Sequence, residues 1–450
     1  MKRTLSIGLV AVVAVVAGLL AAGAPPFGPP SAQGAAIVLA TVGSGGNGPL
    51  NVAVNPGANL VYVTNEASGD LSVLSGQPPF AAVMLSIPVG AGAFPEGVAY
   101  NSSGNAVFVA DNANDVVMPY LAVAPFNVLG GPIPTGGAPI GVAANPNNNR
   151  IYVADEKPDV AVFDGTAPGF PFVAFLPQPP CAPGFPAGSH PVGVDVNPTT
   201  NQVYVADIGA NQLWVMDGAA PWGCLPPIAV GTRPTDVAYN PVNNHIYVAN
   251  GGSSDVTVID ATTFAVVNPS LAVGSGPWGV AVNATTNRVY VTNGKGNSVS
   301  VIDGSTDTVV ETVAVGNAPG GVAVNPVTNL IFVTNYNDNT VSVIEDAPAA
   351  PPPPPPPPPG GMEQVALQGG TCNPVASTYP DATPIATIDG AVAPPAVLES
   401  LWQFDGVTWL GYSPQFPAAS NLTQMDRLDV VFICISGSGP GAATFTRPVV

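Results

Sequence analysis

Apolar and polar positions alternate along most of this chain in short runs separated by Asn, Asp, Gly, Ser and Pro. The run Val280-Ala281-Val282 leads into a turn, then Arg288-Val289-Tyr290-Val291-Thr292, another turn, and Val299-Ser300-Val301-Ile302-Asp303. Such period-two runs of β-branched and aromatic residues predict antiparallel strands with tight turns between them. Asn opens a turn at Asn55, Asn101, Asn145, Asn197, Asn240, Asn283 and Asn325. Seven residues after each stands an aromatic: Tyr62, Phe108, Tyr152, Tyr204, Tyr247, Tyr290 and Phe332. Three further on is Asn or Asp: Asn65, Asp111, Asp155, Asp207, Asn250, Asn293 and Asn335. Four short strands repeated every 42 to 52 residues predict the blades of a β-propeller, here seven.

The seventh unit supplies three strands and then runs into proline. The orphan segment 37–43, Ile-Val-Leu-Ala-Thr-Val-Gly, is similar to the fourth-strand segment Val310 to Gly316. The expectation is that the N-terminal strand completes the last blade and leaves no open edge. Domain bounds follow: a leader over 1–34, a propeller over 36–346, a proline linker over 347–361 and a small β-rich domain over 362–450. The linker holds nine consecutive prolines, and as polyproline II it would reach roughly 40 Å. In the last domain, alternation around Asp405-Gly406 predicts a hairpin, and Leu428 to Ile435 a buried strand. Trp402, Trp409 and Tyr412 read as core residues of that domain, with sugar stacking as the alternative.

Composition narrows the setting. Only 8% of residues are charged, and the net charge is −19. A surface this acidic repels phosphate backbones, which argues against nucleic-acid partners. Lys2 and Arg3, the apolar run Leu5 to Ala22, and the small residues Ala22-Gly23-Ala24 and Ala32-Gln33-Gly34 form an export-signal pattern. An uncleaved anchor is the alternative, because the apolar run also has about the length of a short membrane span. No span is expected in the mature chain, and the location expected is secreted or at the cell surface. The four cysteines, Cys181, Cys224, Cys372 and Cys434, are expected to pair in an exported chain, as Cys181–Cys224 and Cys372–Cys434.

The tetrapeptide Tyr-Val-Thr-Asn occurs at Tyr62 and Tyr290, and Tyr-Val-Ala-Asp/Asn at Tyr152, Tyr204 and Tyr247; Val-Ile-Asp ends the third strand at Val258 and Val301. Over roughly residues 36 to 346 the chain resembles the YVTN-repeat β-propeller family. That resemblance implies a surface-layer or secreted prokaryotic propeller, mostly without assigned chemistry.

Candidate chemistry is sparse. There are two histidines, His190 and His245, and the latter reads as solvated in a turn. Neither a metal site nor a cofactor is expected, and no catalytic residue is assigned. The x-Pro-x-Gly corner before each innermost strand faces the central mouth of a propeller. Its non-generic occupants, Phe94, Glu96, Ile140, His190, Arg233, Asp236 and Trp278, form the candidate ligand site; Asp195 is a candidate channel residue. Blade-corner packing or solvation is the alternative for each, and the family resemblance implies that Arg233 and Trp278 are common at this corner and structural there. The function expected is a non-enzymatic binding or scaffold protein for an extracellular protein or glycan. The alternative is a hydrolase or lyase of the lactonase-like propeller type.

Overall fold

The computed structural model describes residues 35–80, 83–157, 159–166, 169–176, 184–219 and 222–346, together with strand backbone in the C-terminal unit. The expected leader 1–34, the proline linker 347–361 and Cys181 lie outside the described residues. The chain divides into two compact units, Met1–Ala350 and Pro351–Val450.

The first unit is a seven-bladed β-propeller of four-stranded antiparallel sheets. The innermost strands are Pro49–Asn55, Pro95–Asn101, Pro139–Asn145, Pro191–Asn197, Pro234–Asn240, Pro277–Asn283 and Pro319–Asn325. In the first six blades the remaining strands follow in chain order. In the seventh, the outermost position is taken by Ile37–Gly43, paired antiparallel with Thr340–Glu345 so that Ile37 faces Glu345 and Gly43 faces Thr340. The seam is tied further where the Ala36 N–H donates to the Glu311 carboxylate in the sixth blade (2.8 Å). Among the described residues no helix is long and apolar enough to cross a membrane.

Period-two alternation becomes packing on both faces of each blade. In the first blade, Tyr62, Leu71 and Val73 pack against Val98, Val107, Val109 and Tyr120 of the second. Their neighbours Val61, Val63 and Leu74 point the other way, against Leu330, Phe332, Val341 and Val343 of the seventh. Second strands such as Leu60–Asn65 and Arg288–Asn293 are therefore buried along their whole length.

The polar members of the repeat stitch this apolar stack. Tyr152 donates its hydroxyl to the Gly218 carbonyl of the next blade (2.9 Å), and Tyr62 does so to Ala122. The tetrapeptide threonines also reach forward. Thr64, Thr292 and Thr334 donate to the carbonyls of Glu96, Gly320 and Leu50 at 2.6, 2.6 and 3.0 Å. Where the fifth blade has Ala249 instead, Thr235 supplies the link by donating to the Pro277 carbonyl (3.2 Å). The tetrapeptide asparagines turn inward: Asn65, Asn250, Asn293 and Asn335 each donate to side chains five and seven residues on. Each buried NH2 group is thus satisfied within its own hairpin, while the four amide oxygens are buried without a hydrogen-bond partner.

At the far ends of the innermost strands runs a belt of asparagines. The amides of Asn101, Asn145, Asn240, Asn283 and Asn325 donate to Asn149, Asn201, Asn287, Asn329 and Asn59 at 2.5–3.2 Å. Each acceptor closes the turn of the following blade with φ between 50° and 64°, a left-handed conformation that Asn tolerates better than most residues. The last link, Asn325 to Asn59, joins the seventh blade to the first.

In the second unit, a four-stranded antiparallel sheet has the order Cys372–Ala376, Val430–Ser436, Val397–Phe404, Trp409–Tyr412. The last two strands form the expected hairpin, with Leu401 facing Tyr412 and Phe404 facing Trp409. Cys372 stands directly opposite Cys434 in register.

Candidate functional site

The mouth is built by one hydrogen bond repeated seven times. The residue that follows each second strand donates its N–H to the carbonyl of the residue preceding the innermost proline. The donors are Glu66, Asn112, Glu156, Ile208, Gly251, Gly294 and Tyr336. The acceptors are Gly48, Phe94, Ala138, His190, Arg233, Gly276 and Ala318, at 2.8–3.0 Å. Two sets of side chains are thereby brought to one face, the corner residues and those just past the tetrapeptide.

Below the mouth the innermost strands crowd together. A Cβ on Gly97 or Gly141 would meet the carbonyl oxygen of Ile140 or Val192 in the neighbouring blade at 2.2 Å. Glycine there is dictated by close approach of backbones. Glycine also occupies this position at Gly193, Gly279 and Gly321, and in the two remaining blades Asn51 and Asp236 turn side-chain oxygens onto backbone amides instead. Asp236 accepts from Val237 N–H (2.9 Å) and from Val280 N–H of the next blade (3.0 Å). Asp195, two positions deeper, accepts from Tyr239 N–H of the next blade (2.8 Å).

Burial raises both carboxyls, Asp195 to about 6 and Asp236 to about 7; the backbone amides pull the other way, and the Asp195 charge adds to the rise at Asp236. These aspartates are struts between innermost strands, so Asp236 serves blade-to-blade cohesion as well as lining the channel. Glu96 is also raised to about 7, first by burial and then by Glu66 and Glu156.

Two cavities open here. One, of about 170 Å³, sits in the channel and gathers Glu96, Ile140, Asp236 and Trp278 with Asn51 and Thr235. The other, of about 630 Å³, spreads over the fifth, sixth, seventh and first blades. Its lining includes Trp278, Arg233, Lys295, Glu66 and Tyr336, with Gly251, Gly276, Gly294 and Gly320 among them. The Tyr336 hydroxyl donates to Glu66 at 2.8 Å. Trp278 is 49% exposed.

Of the seven residues expected at the mouth, five line one or both cavities. Phe94 and His190 line neither. Their backbone N–H groups are held by Asp111 (3.1 Å) and Asp207 (2.8 Å), and both side chains stand exposed on the rim. His245, read as solvated, is instead half-buried, with Nδ1 3.0 Å from Asp307 of the next blade. Lys295, Glu66 and Tyr336 were not expected. Their signal was positional: they lie one or two residues past the tetrapeptide asparagine, in the turn that the repeated hydrogen bond draws to the mouth.

Charge at the mouth is mixed: Glu66, Glu96 and Glu156 lie on the first three blades with Lys157 beside Glu156, and Arg233 and Lys295 lie on the fifth and sixth with Asp236. Among the described residues no His, Cys, Asp or Glu group of three or more is placed to hold a metal ion.

No family model matches the chain, and no curated protein matches it. Among solved structures it is similar to a chain of Kuenenia stuttgartiensis hydrazine synthase. That likeness has a TM-score of 0.57 and 18% identity, covering 66% of this chain and 95% of that one. At this identity the likeness shows the propeller fold alone.

Proposed function

We propose that the chain is an exported, non-enzymatic binding or scaffold protein of the YVTN-repeat kind, and that it engages an extracellular protein or glycan through its propeller mouth. The recess around Trp278 carries this reading. Its lining brings together an exposed aromatic ring, two cations and several glycines with Glu66 and Tyr336, on a closed ring of blades. Exposed Trp and Arg in a concave site are the side chains that most often dominate recognition. The export signal and the proline spacer suit display outside the cell, and paired cysteines suit an oxidising compartment. The test is binding of the labelled full chain to intact cells, compared with Arg233→Ala/Trp278→Ala. Binding is expected to fall to background while the melting temperature holds. Unchanged binding removes the mouth from consideration.

A lactonase-like hydrolase is the second reading. It is favoured by Glu96, whose raised carboxyl at the channel mouth is suited to general acid–base work near neutral pH. Turnover of a lactone, lost in Glu96→Gln, would support it over the binding reading.

A further inference from the structure

The propeller described here has five basic residues, and three are already engaged. Arg150 pairs with Asp164 (3.5 Å), Arg288 is buried against Asp346 (2.7 Å), and Lys157 donates to the Gly136 carbonyl. Arg233 and Lys295 have no carboxylate partner among the described residues, and both line the cavity of about 630 Å³ around Trp278. Lys295 lays its stem along Gly276, where an added Cβ would meet its Cγ at 2.9 Å. On a chain of net charge −19, two unpaired cations flanking one exposed indole are a local exception to the surface around them.

We infer that this cavity binds a saccharide bearing a single carboxylate, with a sugar ring stacked on Trp278 and its carboxylate held by Arg233 and Lys295. The inference rests on the mouth-binding reading above and names its ligand class. An Arg fork matches a carboxylate in plane, and Lys adds a point charge. The indole offers a flat apolar face, which suits the C–H face of a pyranose whose hydroxyls project sideways. Glu66, which lines the same cavity and accepts from Tyr336 through one carboxylate oxygen, has a second oxygen to accept from such hydroxyls. The same charge repels a second carboxylate, as does Glu156 on the third blade. A polyanion meets two cations and several carboxylates; a singly acidic sugar can set its one carboxylate against the cations and its hydroxyls against Glu66. The cavity volume lies within the range of small-molecule sites, roughly 300–1,000 Å³.

The test is calorimetric titration of the full chain with 3′-sialyllactose against lactose, and with the mixed trisaccharide of one glucuronate and two glucose units against its methyl ester. The expected result is that an acidic sugar binds at least about tenfold more tightly than its neutral counterpart. Raising NaCl to about 0.5 M should weaken that binding, since exposed charges are then screened within a few ångströms. Trp278→Ala should abolish it, and Arg233→Ala and Lys295→Ala should each weaken it by about tenfold. Arg150→Ala, on a different pair, should leave it unchanged.

The inference is overturned if neither acidic sugar binds, if the neutral counterparts bind as well, or if hexaglutamate binds as tightly as the sugars. If these sugars fail but cell binding is still lost in Arg233→Ala/Trp278→Ala, the ligand class falls and the mouth reading stands. If cell binding also survives that double change, both fall.

Discussion

Arg288 and Asp346 form a buried ion pair, Nη1 to Oδ1 at 2.7 Å, with side chains 3% and 0% exposed. Arg288 opens the second strand of the sixth blade, and Asp346 follows the last strand of the seventh. The Asn283 amide donates to the same carboxylate at 2.9 Å, and the Thr286 hydroxyl also donates to it. The pair thus fastens the point where the chain leaves the propeller. Arg288→Met would strand a buried carboxylate, and breaking such a pair from one side costs about 3–5 kcal/mol. Urea unfolding of this variant should show a loss of that size; a loss below 1 kcal/mol would mean the remaining donors suffice.

The seam gives a second expectation. Deleting residues 36–43 leaves Thr340–Glu345 as an open edge beside the sixth blade. Exposed edges pair with other chains. The deletion should lower the melting temperature by roughly 10 °C or more and promote aggregation, read by scanning calorimetry and light scattering.

Asp155 gives an expectation about pH. Its counterparts Asn65 and Asn250 donate to Asp70 and Asp255, but Asp155 has no amide to offer Asp159. Both of its oxygens are buried, and neither makes a hydrogen bond of good geometry. Burial raises Asp155 to about 8; the nearby Thr135 hydroxyl pulls the other way, and neighbouring Asp159 and Asp115 add to the rise. The folded state therefore keeps a proton that the unfolded chain loses near 4, so stability falls as pH rises from about 4 to about 8 and levels off above. Asp155→Asn supplies the missing donor and removes the titration. It should match the parent near pH 4 and exceed it by at least about 1 kcal/mol at pH 8 in paired denaturation curves.

The cysteines give a fourth. Residues directly opposite in an antiparallel pair stand about 4.5–5.5 Å apart at Cα. That range lies inside the about 4.4–6.8 Å that disulfides span. Cys372 and Cys434 are so placed. Cys224 is disulfide-bonded, and Cys181 lies outside the described residues. Non-reducing peptide mapping should recover Cys372–Cys434 and Cys181–Cys224, and a crossed pairing would refute this.

The propeller was legible because each repeat position does one physical job in several blades. The turn asparagine bonds the next blade's turn, the tetrapeptide tyrosine packs between blades, and the tetrapeptide asparagine donates within its own hairpin. Repetition of the job preserves the residue type and makes the period visible. The site was legible only in part. Trp278, Arg233 and Glu96 stand out because they break the repeat at a corner known to face the mouth. Lys295 and Tyr336 break it too, but in a turn whose place beside that corner is fixed by a backbone bond that leaves no mark on residue type. Phe94 and His190 break the repeat at the same corner, where their N–H groups are held by Asp111 and Asp207, and their exposed side chains line neither cavity.

The strand at Ile37–Gly43 also bears on how the protein comes into being. Ser44 bonds to Asn339, 295 positions along the chain. The first six blades are each built from contiguous sequence and have all their strands as soon as their own segment has been synthesised. The seventh must wait, with its outer strand made first and its three inner strands made last. Contacts of such long sequence separation form slowly, because the loop between them must be closed before they return any stabilisation. The ring therefore stays open until almost the whole propeller has been made, and a chain interrupted before residue 340 has no partner for Ile37–Gly43.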